Sequence, residues 1–212
     1  MELSQSVSIH TMKRLPTYLN YLKSLDEDRN VSSTEIAKAL GLNDVQVRKD
    51  LSAVTSGGRP RVGYSVKALI ADLKEFLGYN AINEAVLIGA GNLGRALMSY
   101  RGFEEYGLRI VAGFDLCSQS VELDGVTKPI LPLEELPSFC RANGIRIGIV
   151  TTPAKAAQGA CDLLIESGIK AVWNFAPAHI TVPESVLVQN ENMASSLALL
   201  SKHLNAMLDQ QS

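Results

Sequence analysis

Ala85-Val86-Leu87-Ile88-Gly89-Ala90-Gly91-Asn92-Leu93-Gly94-Arg95-Ala96-Leu97-Met98-Ser99 sets the architecture of this chain. The first four residues form an apolar run of strand type. The last five, with Tyr100, form a helix. Between them stands G-x-G-x-x-G in the context that gives the pattern meaning, after a strand and at the opening of a helix. Gly89 permits a tight turn. Gly91 lets a pyrophosphate approach the backbone, and Gly94 lets the helix pack closely on a sheet. The N–H groups of the helix N-terminus, around Ala90, Asn92 and Leu93, then offer donors to phosphates.

Downstream, Arg109-Ile110-Val111-Ala112-Gly113-Phe114 reads as a second strand ending at Asp115, 21 residues after Gly94. A carboxylate at that place accepts hydrogen bonds from adenosine ribose hydroxyls. The following residues, Leu116-Cys117-Ser118-Gln119-Ser120-Val121, hold no Arg or Lys to meet a 2′-phosphate, so NAD(H) is expected over NADP(H). Two more strands are expected, Arg146–Val150 and Ala171–Phe175. In an open α/β sheet, ligands bind at the carboxyl ends of strands. Thr151, Thr152, Asn174 and Phe175 are therefore candidates for the nicotinamide half.

Upstream, residues 12–25 place Leu15, Leu19, Leu22 and Leu25 at helical spacing. Ser32 with Glu35 forms a capping box that starts a second helix, and Gly41 stops it. Asn43 caps a third helix, with Gln46 at its capping-box position. This is helix-turn-helix spacing. On the third helix Val47, Leu51 and Val54 share one face. Val45, Gln46, Lys49 and Ser52 point the other way, with Arg48 at the edge. Arg and Gln can pair bidentately with guanine and adenine edges, and Lys and Ser can hold phosphates. Then Ser56-Gly57-Gly58-Arg59-Pro60-Arg61-Val62-Gly63-Tyr64-Ser65-Val66 reads as a basic hairpin with Arg59 and Arg61 at its tip. That is a wing, suited to backbone or minor groove. An amphipathic helix over 65–78 connects head to body.

The expected fold class is α/β. A winged helix-turn-helix domain with its linker helix occupies residues 1–78. A Rossmann domain over residues 79–212 ends in an amphipathic helix, Met193 to Leu208. That last helix must dock on its own domain or on a partner. A homodimer with exchanged C-terminal helices would suit a protein that reads two half-sites of palindromic operator DNA.

Bulk properties agree. The net charge is −2, but residues 1–64 carry nine Lys/Arg against seven Asp/Glu, and the remainder eleven against fifteen. A mildly basic head on an acidic body is compatible with DNA binding through the head. No apolar run approaches a membrane span, and the first residues lack the apolar region of a signal peptide. Cys117, Cys140 and Cys161 form no CxxC, which fits a reducing, cytoplasmic setting without disulfide or metal. Hydride-transfer enzymes commonly need a positioned acid or base. Among His10, His179 and His203 only His179 lies near the expected site, so no catalytic residue is assigned. The competing class is an NAD-dependent oxidoreductase with an appended head, for which Arg48, Lys49, Arg59 and Arg61 together would be superfluous. A third reading keeps the dinucleotide as a constitutive structural cofactor.

The chain resembles the Rex family of bacterial redox-sensing transcriptional repressors over roughly residues 10–208. The residues that carry the resemblance are Arg14-Leu15-Pro16, Val47 to Ser52, Val62-Gly63-Tyr64, Ile88 to Gly94, Phe114-Asp115 and Asn174-Phe175-Ala176-Pro177. The resemblance implies homodimers that sense the NADH/NAD+ ratio, repress when NADH is low, and leave DNA when NADH binds. It implies a swapped terminal helix over the partner's nicotinamide site. It also implies a DNA-binding role for Tyr64 and cofactor-binding roles for Tyr100 after the fingerprint and Pro153 in the strand-end turn. Ala53 to Gly58 replaces the family's aromatic, glycine-rich turn, and Thr151-Thr152-Pro153 stands where Thr-Val-Pro is frequent. Asn192, Met193 and Asn20 stand where an Asp, an aromatic and a basic residue occur in some members. A possible intersubunit ion pair would then be lost, while Met193 could still fill the partner's pocket, so the switch would survive with an altered redox preference.

Overall fold

The computed structural model describes residues 7–116, 119–123 and 126–209. It divides into two compact units, Met1–Ala81 and Ile82–Ser212.

In the first unit, helix α1 spans Ile9–Lys23, α2 Ser33–Leu40, α3 Asp44–Ser52 and α4 Val66–Phe76. The caps read from the sequence are in place. Ser32 Oγ accepts from the Glu35 N–H, Asn43 Oδ1 accepts from Val45 and Gln46 N–H, and Gly41 ends α2 at φ +64°. Each such N-cap contributes about 1 kcal/mol. The reciprocal half of both capping boxes is absent. The Glu35 carboxylate pairs with Arg29 at 2.6 Å, and the Gln46 carboxamide turns to Asp50. The 65–78 helix is not simply a connector. Val66, Leu69, Ile70 and Leu73 of α4 are buried with Leu15, Leu19, Leu22, Ile36, Val47 and Leu51 in one core. The wing is also shorter than the alternation implied. Strand β1 (Asn30–Val31) pairs antiparallel with β2 (Tyr64–Ser65), and a tight Arg59–Gly63 loop is closed by two backbone hydrogen bonds of 2.9 Å.

The second unit is a seven-stranded sheet. Its strands are β3 (Asn83–Ile88), β4 (Leu108–Asp115), β5 (Gln119–Leu123), β6 (Val126–Pro132), β7 (Ile147–Val150), β8 (Ala171–Asn174) and β9 (Leu187–Asn190). The order is β5-β6-β4-β3-β7-β8-β9, parallel except for the antiparallel edge strand β5. Without β5 this is the doubly wound order of a Rossmann fold, reversing between β3 and β7. Helix α5 (Asn92–Ser99) follows β3, α6 (Leu136–Asn143) precedes β7, and α7 (Ala154–Glu166) follows it. Alternate strand residues feed two cores. Val86, Ile88, Ala112, Phe114 and Val150 pack with residues of α6 and α7, while Ala85, Leu87, Ile110 and Ile149 pack with Met98 of α5. The stretch 179–192, read as merely extended, contains β9, the sixth parallel strand. Helix α8 (Met193–Asp209) closes the described chain without one buried residue.

Candidate functional site

The strand order reverses where β3 sends β4 to one side and β7 to the other. There a cavity of about 1000 Å³ opens at the carboxyl ends of β3, β4, β7, β8 and β9. That lies at the top of the range for ligand pockets, about 300–1,000 Å³. The site is built from the fingerprint upward. Gly89 has φ +100°, and a Cβ there would lie 2.9 Å from the Thr151 carbonyl carbon. A Cβ on Gly94 would lie 2.1 Å from Gly89 O, so only glycine lets α5 start this close to the β3 turn. Thr151 Oγ1 donates toward Ile88 O (3.1 Å) and Gly89 O (2.7 Å), tying the β7 end to the fingerprint loop.

Asp115 accepts from the Ala90 N–H at 2.6 Å and from its neighbour Leu116 N–H at 2.7 Å. A carboxylate has about four lone-pair sites, so two remain for ribose hydroxyls. No side chain caps α5 at Gly91. Thr152 Oγ1 is buried without a hydrogen-bond partner beside the cavity. Buried polar atoms are nearly always satisfied. An uncapped helix N-terminus, an acid at the β4 end and an orphaned hydroxyl at the β7 end fit a dinucleotide.

Of the residues expected at this site, Gly89, Gly91, Leu93, Asp115, Thr151, Thr152, Pro153, Asn174, Phe175 and Met193 line the cavity. Ala90, Asn92, Gly94 and Tyr100 do not. Ala90 is buried in the turn and Gly94 within α5, Asn92 begins α5 facing solvent, and Tyr100 lies edge-on to Phe103 at 4.9 Å. Asn174 is on the wall, but its side chain is spent. It donates to Ala178 O and Asn190 Oδ1 and accepts from the Ala176 N–H. It therefore holds the β8 loop to β9. Met193, expected in a partner's pocket, stands on the cavity wall of its own chain. Asn192 Oδ1 accepts from the Ser195 N–H at 2.9 Å, so its side chain serves the start of α8. Sequence reasoning missed the β9 end, Asn190 and Glu191, because a four-residue strand among polar residues carries no periodic signal. His179 lies exposed on the cavity wall.

The DNA-facing candidates lie in the head. On α3, Val45, Gln46, Arg48, Lys49 and Ser52 are all exposed, and Val47 and Leu51 are fully buried. Arg48 leans on Asp44 at 3.6 Å but keeps 60% of its side chain exposed. Ser52 Oγ donates to Arg48 O at 2.8 Å. Arg59 and Arg61 are exposed at the wing tip, where Arg61 adopts φ +64°. A side chain in that conformation costs about 1–2 kcal/mol. Tyr64 is half-buried against the head core, its ring under Gly58.

One group of the head was invisible in the sequence. The Asp50 carboxylate, 1% exposed, accepts from Arg14 Nε (2.7 Å) and Nη2 (2.9 Å), Tyr18 Oη (2.7 Å), Thr11 Oγ1 (3.0 Å) and Gln46 Nε2 (2.9 Å). Burial pushes its pKa up, yet the donors Arg14, Tyr18, Gln46 and Thr11 outweigh this and hold it at about 2. Burial, then the adjacent carboxylate, pushes the Tyr18 phenol up to about 12. The Asp50 hydrogen bond raises the Arg14 guanidinium further above its ordinary range. α3 is thereby riveted to α1.

Cys140 and Cys161 are free and buried, and burial raises both thiols. The thiolate is the reactive form. Both should resist iodoacetamide in the native protein and react only after denaturation, as intact-mass measurement would show. Cys117 lies outside the described residues. No set of three His, Cys, Asp or Glu among the described residues is arranged to hold a metal. No described helix is long and apolar enough to cross a membrane.

Fold and cavity together define a winged-helix protein with a dinucleotide-binding body. The family "Putative DNA-binding protein N-terminus" matches residues 6–52, and "CoA binding domain" matches residues 80–178. The redox-sensing transcriptional repressor Rex of Porphyromonas gingivalis is 41% identical over 207 residues, 97% of this chain and 95% of that protein. A solved structure of RSP with beta-NAD+ and operator DNA matches at TM-score 0.86 and 33% identity, over 98% of this chain and 97% of that one. RSP with beta-NADH matches at TM-score 0.85 and 32% identity, over 99% and 100%. The chain belongs to the Rex family of redox-sensing transcriptional repressors.

Proposed function

We propose that this chain represses transcription by binding a palindromic operator as a homodimer, and that NADH entering the body cavity releases it. The observation that carries this reading is the cavity across the strand-order reversal, in a chain whose other unit exposes Arg48, Lys49, Arg59 and Arg61. Asp115 holds the adenosine ribose, Gly91 and the α5 N-terminus take the pyrophosphate, and Thr151, Thr152, Phe175 and Met193 surround the nicotinamide. α3 enters the major groove with Val45, Gln46, Lys49 and Ser52 toward the bases and phosphates, and the wing arginines reach the backbone. Tyr64, half-buried at the base of the wing with its ring beside Gly58, adds its exposed edge to this surface.

A ligand shifts a two-state equilibrium only through differential affinity for the states. NAD+ and NADH share the adenosine and pyrophosphate contacts, so discrimination arises around the nicotinamide. Two recognition helices must lie about one DNA turn apart, roughly 34 Å. A small rotation between subunits spoils that register. The dimer is supported by α8, where Leu197, Leu199, Leu200, Leu204, Met207 and Leu208 are each more than half exposed. Exchange of α8 between subunits would bury them. The dinucleotide acts as a signal without turnover, and the repressor works in the cytoplasm where the chromosome is.

The test is fluorescence anisotropy of a labelled operator duplex at fixed salt, titrated with each nucleotide. NADH is expected to release the DNA at concentrations where NAD+ does not. DNA binding indifferent to both nucleotides would overturn the redox-repressor reading.

A further inference from the structure

Two carboxylates stand on the cavity wall, one at each end of the row of strand termini. Asp115 ends β4, and Glu191 follows β9. Neighbouring strands are about 4.8 Å apart. The order β4-β3-β7-β8-β9 puts the two acids at opposite ends of the cavity. No Lys or Arg is among the described lining residues.

Glu191 is held in place. Its N–H donates to Asn174 O at 2.8 Å, extending the β8–β9 pairing by one step. Its Oε1 accepts from Trp173 Nε1 at 2.9 Å, and the Trp173 ring lies 4.7 Å from Phe175 on the cavity wall. Gln189 Nε2 reaches the same oxygen at 3.4 Å. The carboxylate is thus fixed beside the half of the cavity that Asp115 does not serve.

We propose that Glu191 biases this site toward the oxidised dinucleotide, raising the NADH level needed to displace NAD+. The inference rests on reading the cavity as an NAD(H) site. The nicotinamide ring is cationic in NAD+ and neutral in NADH, and every other group of the two molecules is alike. A fixed anion near the ring therefore attracts one form and is almost indifferent to the other. Asp115 faces the adenosine, whose charge does not change, and cannot discriminate.

The experiment measures dissociation constants for NAD+ and NADH with wild type and Glu191→Gln, by calorimetry at low salt. Glutamine keeps an oxygen for the Trp173 N–H while removing the charge. NAD+ binding is expected to weaken about threefold to tenfold, as for one charge pair at several ångströms in a wet cleft, with NADH changed less than about twofold. Glu191→Asp should keep the wild-type ratio within about twofold. Raising salt from about 0.05 to 1 M should move the wild-type ratio toward that of Glu191→Gln, because screening shortens to about 3 Å. This arm holds even where the variant folds poorly. Equal weakening of both nucleotides, or a ratio unmoved by both substitution and salt, would overturn the proposal. Wild type that binds neither nucleotide would remove the underlying site reading itself.

Discussion

Asp50→Ala should unfold or loosen the DNA-binding unit while leaving the body intact. The change removes the common acceptor of Arg14, Tyr18, Thr11 and Gln46. Breaking one partner out of a buried ion pair typically costs about 3–5 kcal/mol. Arg14 keeps 27% of its side chain in solvent, which places this case at the lower end. Against a total of about 5–15 kcal/mol for a domain, this is a large fraction. Operator affinity should fall at least tenfold, and urea unfolding monitored by circular dichroism should show an earlier transition for the head. NADH affinity should stay within about twofold. Normal operator binding by Asp50→Ala would refute the rivet.

The same group sets an acid limit. The Asp50 pKa is depressed from 3.8 to about 2 in the folded state. Its stabilisation is therefore complete above about pH 4 and is lost as pH falls toward 2. Tyr18 acts at the other end. Its pKa is raised from 10.0 to about 12, so its contribution is present below pH 10 and is lost as pH climbs through 12.

Gly91→Val should abolish dinucleotide binding and leave an operator binder that no nucleotide releases. A Cβ at Gly91 meets no atom within 4 Å, whereas one at Gly94 would strike Gly89 O. The two glycines thus separate ligand from fold. A side chain at Gly91 enters the space through which a pyrophosphate approaches the backbone, without disturbing α5. Losing phosphate access at a helix N-terminus should weaken NADH at least a hundredfold, with the thermal midpoint of the unliganded protein shifted by only a few degrees. Unchanged NADH affinity would mean that the phosphates do not lie on this turn.

The features legible in advance are those written in local chemistry. Ser32, Asn43 and Gly41 announced the helix ends, because caps depend on residues two or three positions apart. The fingerprint and Asp115 announced the central strands. What escaped depends on partners far along the chain. Arg14 and Asp50 are 36 residues apart, and nothing in either neighbourhood marks them as a pair. Gln46 read as a free base-reader, but Asp50 claims one of its amide hydrogens. Asn174 stands at a strand end and so looks available, whereas its two amide hydrogens go to Ala178 O in the turn and Asn190 Oδ1 on β9. β9 escaped because in a four-residue edge strand only Val188 packs on the core while Leu187 is exposed, too little to imprint a period.

Trp173 is the only tryptophan of the chain, and it sits one aromatic ring behind the cavity wall. Reduced nicotinamide absorbs where indole emits, and oxidised nicotinamide does not. The protein therefore carries its own optical gauge. With NADH in the cavity its ultraviolet emission is expected to dim by energy transfer, and a titration read at the indole emission would show this in solution without any label.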